Sequence, residues 1–197
     1  MSSNDAFANL RKSKEEDYFR KMEAESVEKM RREAELEAER GHLAEAAGVA
    51  DAEILQDLKE LGYTYQTVML LHLVPLVQVA WIDGHVTNQE RKRIVEASGL
   101  RGANEGSLAY RQLMNWLDHR PSGEFFQRTL RVIRHRLKAL PLEEQKVRKR
   151  QLIFDCTTIA AASGGFWGLG SKICGAEQRL LKQIAVDLEH NPETHGD

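Results

Sequence analysis

The chain has 197 residues, 42% of them hydrophobic and 29% charged, with a formal net charge of −2. That balance excludes a disordered chain and supplies enough apolar residues for a full hydrophobic core. Prolines number only four, and no run alternates apolar and polar residues long enough to argue a sheet, so the expected class is all-α.

Residues 1–62 hold ten Lys and Arg against sixteen Asp and Glu, whereas residues 63–197 hold eighteen against fourteen. An acidic arm and a basic body can attract each other. Residues 1–10 are polar and expected to be disordered. Residues 11–50 form a charged helical arm, since Arg11 to Arg40 contains neither glycine nor proline and is dense in Glu, Lys, Arg and Ala. The pairs Glu16/Arg20, Asp17/Lys21, Glu25/Lys29 and Glu28/Arg32 stand four apart with the acid first, the better order for a helix.

Tyr18, Phe19, Met22, Val27, Met30 and Leu36 do not keep a heptad, and Lys29 falls where a coiled-coil seam wants an apolar residue. Two readings of this stripe stand side by side. Either it pins the arm to its own domain, or it engages another protein or a second copy of the chain.

Gly41 and Gly48 bracket an alanine-rich piece and loosen the connection. The helical domain spans residues 51–190. Asp51 caps a short helix from Ala52 to Leu61, and Thr64 caps a long apolar helix that Pro75 kinks or splits near Leu71. Asp83-Gly84 breaks that helix, the glycine in the left-handed conformation and Asp83 bonding its own backbone. Thr87-Asn88-Gln89-Glu90 is a capping box, so the next helix begins at Asn88.

Ser107 or Asn104 opens a helix carrying Leu108, Leu113, Trp116 and Leu117 inward, and Ser122 caps one with Phe126, Leu130, Ile133, Leu137 and Leu140 on a single face. Pro141 opens the following helix, in which Val147, Leu152, Ile153, Phe154 and Ile159 supply buried positions. The last helix runs from Gly175 to His190, and residues 191–197 are expected to be disordered.

The run Ala80 to Glu90, AWIDGHVTNQE, resembles the A-x-x-D-G-x-V-(S/T)-x-x-E signature of the TerB-like family, which includes tellurite-resistance proteins and the N-terminal domain of DnaJ-like membrane co-chaperones. A second copy strengthens the resemblance: Ile159 to Gly164 repeats the approach to the turn, and Ile173 to Glu177 repeats the exit. Ser163 stands in the place of Asp83, and the second loop is longer, Gly165 to Lys172. The resemblance covers Tyr63 to Leu188. It implies a helical bundle of two helix-turn-helix units and a non-enzymatic interaction or scaffold role in stress response or in chaperone and membrane-associated complexes.

Asp83 and Glu90 are the carboxylates whose placement suggests a ligand site, an oxygen set suited to Ca²⁺ or Mg²⁺. Turn and cap duty explains them equally well, and the acidic ladder of an EF-hand is missing. Phe166, Trp167 and Leu169 sit in a glycine-rich loop that either folds back on the core or docks a protein or a membrane surface. Its Gly-Ser-Lys order is not that of a phosphate-binding loop.

Arg128, Arg131, His135 and Lys138 share a face of their helix, a candidate partner surface or a solvated one. Nucleic acid is disfavoured, because no aromatic residues interleave and the arm is acidic. No catalytic constellation is visible, and an enzyme would require His72, Cys174 or Asp155 to meet in a cleft. Cys156 and Cys174 lack zinc spacing, no secretory signal is apparent, and the most apolar stretch, Val68 to Ile82, is too short to cross a bilayer. A cytoplasmic setting is expected.

Overall fold

A computed structural model describes residues 3–162 and 174–189, with side chains from residue 18 onward. All regular structure among the described residues is helical. The chain divides into two units, Met1–His42 and Leu43–Asp197. Helix α1 spans Ser3–Ala47, starting within the stretch expected to be disordered and passing through Gly41 without a break. A single interior glycine costs only about 1 kcal/mol relative to alanine, which its Ala- and Glu-rich flanks offset. The helix ends at Gly48, whose φ of 62° lets Gly48 N–H reach Glu45 O and Val49 N–H reach Ala44 O, both at 3.1 Å.

In the first unit, exposed pairs run along α1: Lys21 with Glu25, Lys29 with Glu33, Arg31 with Glu35 and Arg32 with Glu28. The last of these is the expected acid-first pair; Lys21 and Lys29 instead turn to the glutamate on their C-terminal side.

The second unit is built around α3, Val74–Ala80. Six of its seven residues are buried, because all but Gln78 are apolar, as suits a helix enclosed by others. A 3₁₀ turn over Val68–Leu73 leads into it, and Pro75 sits in its first turn. Proline splits the apolar run there because it cannot donate to Leu71 but suits a helix start.

Around α3 lie α4 (Asn88–Gly99), α6 (Gly123–Lys138), α7 (Leu142–Ala162) and α8 (Gly175–Glu189), with α7 its main neighbour. Helix α2 (Ala52–Glu60) packs on α6, and α5 (Leu108–Asp118) on the 3₁₀ turn. Four of the named caps hold: Asp51, Thr87, Ser107 and Ser122 each accept from a backbone N–H of the following turn. Thr64 is not a cap: a turn follows it, its N–H donates to the Thr67 hydroxyl at 2.9 Å, and the helical run starts only at Val68.

Tyr63, Trp116, Phe125 and Phe126 form an aromatic cluster with ring centres 5.2–6.1 Å apart. Trp81 Nε1 donates to Trp116 O at 2.8 Å, tying the end of α3 to α5.

Two expectations about burial are corrected. On α7 the inward positions are Leu152, Cys156, Ile159 and Ala160, one helical stripe; Val147 and Phe154 fall on the opposite side and are 61% and 64% exposed. Leu108, the first residue of α5, is 45% exposed, since it precedes the stripe formed by Leu113, Trp116 and Leu117.

Candidate functional site

Three places carry the candidate residues. The first is the turn between α3 and α4. Gly84 adopts φ 85° and closes the turn with Gly84 N–H to Trp81 O at 3.0 Å. Glu90, 2% exposed, accepts from Thr87 N–H at 2.8 Å and from the Thr87 hydroxyl at 2.7 Å, both on Oε2. The Thr87 hydroxyl in turn accepts from Glu90 N–H at 3.3 Å.

Burial pushes the Glu90 carboxyl above its usual range; the Thr87 bonds hold it down, and the charges of Glu177 and Asp83 push it further up. Asp83 is exposed and, among the described residues, bonds no backbone group of its turn, unlike the sequence expectation. Nor do Asp83 and Glu90 converge with a third ligand: among the described residues no group of three His, Cys, Asp or Glu is placed to hold a metal ion.

The same cap geometry recurs at α8. Cys174 N–H donates to Glu177 Oε2 at 2.5 Å, and Glu177 N–H reaches Cys174 Sγ at 3.4 Å. Glu177, like Glu90, is 2% exposed. Thr87-x-x-Glu90 and Cys174-x-x-Glu177 are thus two capping boxes, at the starts of α4 and α8. Ser163, Gly164 and Ile173 of the second turn lie outside the described residues, as do Phe166, Trp167 and Leu169.

The second place is the outer side of α6. Arg128 donates to Asp57 Oδ1 from Nη2 at 2.7 Å and from Nε at 3.2 Å, and to Glu60 at 2.5 Å. Arg131 bonds Glu53 and lies 3.4 Å from Asp57 Oδ2. Paired carboxylates hold both guanidiniums above their usual range. These two arginines therefore join α6 to α2 within the domain, and Lys138 lies exposed at the end of the helix. Sequence alone hides the acidic partners, since they stand 68–78 residues away.

The third place was not singled out as a whole in the sequence. A cleft of about 560 Å³ opens between the 3₁₀ turn, α6 and α7. His72, Arg101, Arg136, Arg148, Gln151 and Asp155 supply its polar lining, and Leu71, Ile133 and Leu152 its apolar part. His72 and Asp155 both line it, without a hydrogen bond between them, and Cys174 does not. Asp155 accepts from Gln151 Nε2 at 2.7 Å and lies 4.0 Å from Arg101. Cys156, beside it in sequence, is fully buried, and burial drives its thiol far above the usual range. Neither cysteine is a nucleophile of this cleft. Among the described residues, no helix is long and apolar enough to cross a membrane. Comparison with protein-family models, curated proteins and solved structures finds no match to this chain.

Proposed function

We propose that the chain is a non-enzymatic, TerB-like interaction or scaffold module of the cytoplasm, tied by that resemblance to bacterial stress response, including tellurite, or to chaperone and membrane-associated complexes. The observation that carries the interaction role is the apolar side of α1. Phe19, Met22, Val27 and Met30 are 49–64% exposed, and they fall within about 140° of the helix circumference at 3.6 residues per turn. Fully covering one such side chain is worth about 1.5–3 kcal/mol. The exposed ion pairs around them are worth about 0–1 kcal/mol each. A protein partner laid along this side therefore gains mainly from the apolar stripe, while the charges set orientation. The doubled capping box supports the family resemblance, because a cap and a buried glutamate recur at the starts of α4 and α8.

The test is site-specific photo-crosslinking in the native cell. A photoreactive residue replaces Phe19 or Met30 and, as controls on the opposite side of α1, Glu28 or Arg32. A discrete adduct formed from Phe19 and Met30 alone supports the reading, and its mass separates another protein from a second copy of the chain. Identical adducts from all four positions, or none, would count against it.

A further inference from the structure

Helix α6 carries four arginines, and three are committed within the fold. Arg128 and Arg131 hold the acids of α2, and Arg134 Nη1 donates to Asp187 O at 3.0 Å, near the end of α8. Arg136 is the exception. It is half-buried in the wall of the cleft and has no hydrogen bond or ion pair among the described residues. Its charged neighbour is another cation, Arg148, and burial together with Arg148 lowers its affinity for its proton.

An unpaired guanidinium drawn out of water is costly unless an anion answers it. Arg148 sits electrostatically between Arg136 and Arg101, since it repels both. Its own partner, Glu144, lies outside the cleft lining at 3.4 Å, and the pair is solvent-exposed. Asp155 is the one carboxylate of the lining among the described residues; it accepts from Gln151 and lies 4.0 Å from Arg101. His72 also lines the cleft, and its Nε2 is buried without a hydrogen-bond partner among the described residues.

We propose that this cleft binds a small phosphate monoester, its dianion held by Arg101, Arg136 and Arg148 and its organic part resting on Leu71, Ile133 and Leu152. Among the described residues three guanidiniums face one lining carboxylate, and even with Glu144 drawn to Arg148 from outside the lining the cleft stays net positive, which suits a phosphate anion. Guanidinium forks match phosphate oxygens with paired N–H donors. The volume lies inside the range of about 300–1,000 Å³ typical of small-molecule sites, and the mixture of apolar walls with a few convergent polar groups is the usual composition. The same phosphate chemistry could arrive on a soluble metabolite or on a lipid headgroup.

The experiment is calorimetric titration of the full chain with phenyl phosphate and with inorganic phosphate, beside sedimentation with phosphatidylcholine vesicles containing phosphatidic acid. Phenyl phosphate is expected to bind saturably and more tightly than inorganic phosphate, and to raise the melting temperature of the wild-type chain. Arg136→Gln and Arg148→Gln should each weaken binding about tenfold or more, the loss of a charge-assisted bond. Arg131→Gln, on the α2 side of the helix, should leave it unchanged. Neither cleft variant should unfold the domain, since Arg136 has no partner to lose and Arg148 is exposed.

Binding to vesicles alone, lost in Arg136→Gln, would assign the site to a headgroup. No saturation by about 1 mM together with no vesicle binding would overturn the proposal. So would equal weakening by Arg131→Gln, or none by Arg136→Gln.

Discussion

Replacing Thr87 by alanine separates the two capping boxes by their chemistry. The Thr87 hydroxyl makes two bonds to one residue: it accepts from Glu90 N–H at 3.3 Å and donates to Glu90 Oε2 at 2.7 Å. Loss of an N-cap acceptor costs about 1 kcal/mol. Loss of a bond to a buried carboxylate costs roughly 1.5–3 kcal/mol more. With Glu90 2% exposed, little water replaces the hydroxyl. Thr87→Ala should therefore destabilise the fold by roughly 3 kcal/mol at neutral pH, lowering its melting temperature by about 6–12 °C.

The pH dependence follows from the raised carboxyl of Glu90. A raised pKa in the fold means that this group favours folding when protonated and loses that contribution as pH rises through the folded pKa. The Thr87 backbone N–H and hydroxyl both oppose the rise, and alanine removes only the hydroxyl, so the folded carboxyl is raised further in the variant. The deficit of Thr87→Ala should be near the cap alone, about 1 kcal/mol, at the acid end of the glutamate range and reach its full size above it. Cys174→Ala should cost far less, because a thiol sulfur at 3.4 Å is a weak acceptor. Calorimetric melts of both variants across that range provide the assay. Equal losses in the two variants, or a Thr87→Ala deficit independent of pH, would refute the argument.

Further outcomes are open to direct measurement. Tyr63→Phe leaves the buried Thr129 hydroxyl without its 3.4 Å partner and should cost about 1 kcal/mol in chemical denaturation; adding Thr129→Val should recover part of that loss, and a purely additive double variant would contradict it. Native thiol labelling should modify Cys174 at once, whereas Cys156, fully buried, should react only through opening of the fold; equal rates would show that α7 is not packed as described. Asp57→Asn should lower the melting temperature more than Glu53→Gln, because Asp57 is buried between Arg128 and Arg131 while Glu53 is exposed at its pair.

What could be read in advance is what the chain decides within one helical turn. A capping box needs only a side chain and a backbone amide three residues apart, so Thr87, Ser107, Ser122 and Asp51 were legible as helix starts. Pro75 likewise acts on its own backbone and on the preceding turn, and the split at Leu73–Val74 follows. The second capping box was legible for the same reason, with Cys174 in the place of Thr87. Burial on α7 was not. That helix carries apolar residues on both sides, and only its neighbours α3, α4, α6 and α8 decide that Cys156 faces inward and Phe154 outward.

The basic residues of α6 show why a helical face is a weaker unit of inference than a helical neighbour. In sequence, Arg128, Arg131, His135 and Lys138 share one face, and a shared face suggests one shared partner. In the fold, α2 brings Glu53, Asp57 and Glu60 to that side, so its two arginines become structural. The arginine outside the pattern, Arg136, is the one that reaches the cleft without an acid to meet it. Periodicity reports which residues point the same way, while the charge left over depends on what each neighbouring helix brings. That remainder forms only once the 3₁₀ turn, the end of α4, α6 and α7 are assembled, because its contributors, His72, Arg101, Arg136 and Arg148, come from separate segments of the chain.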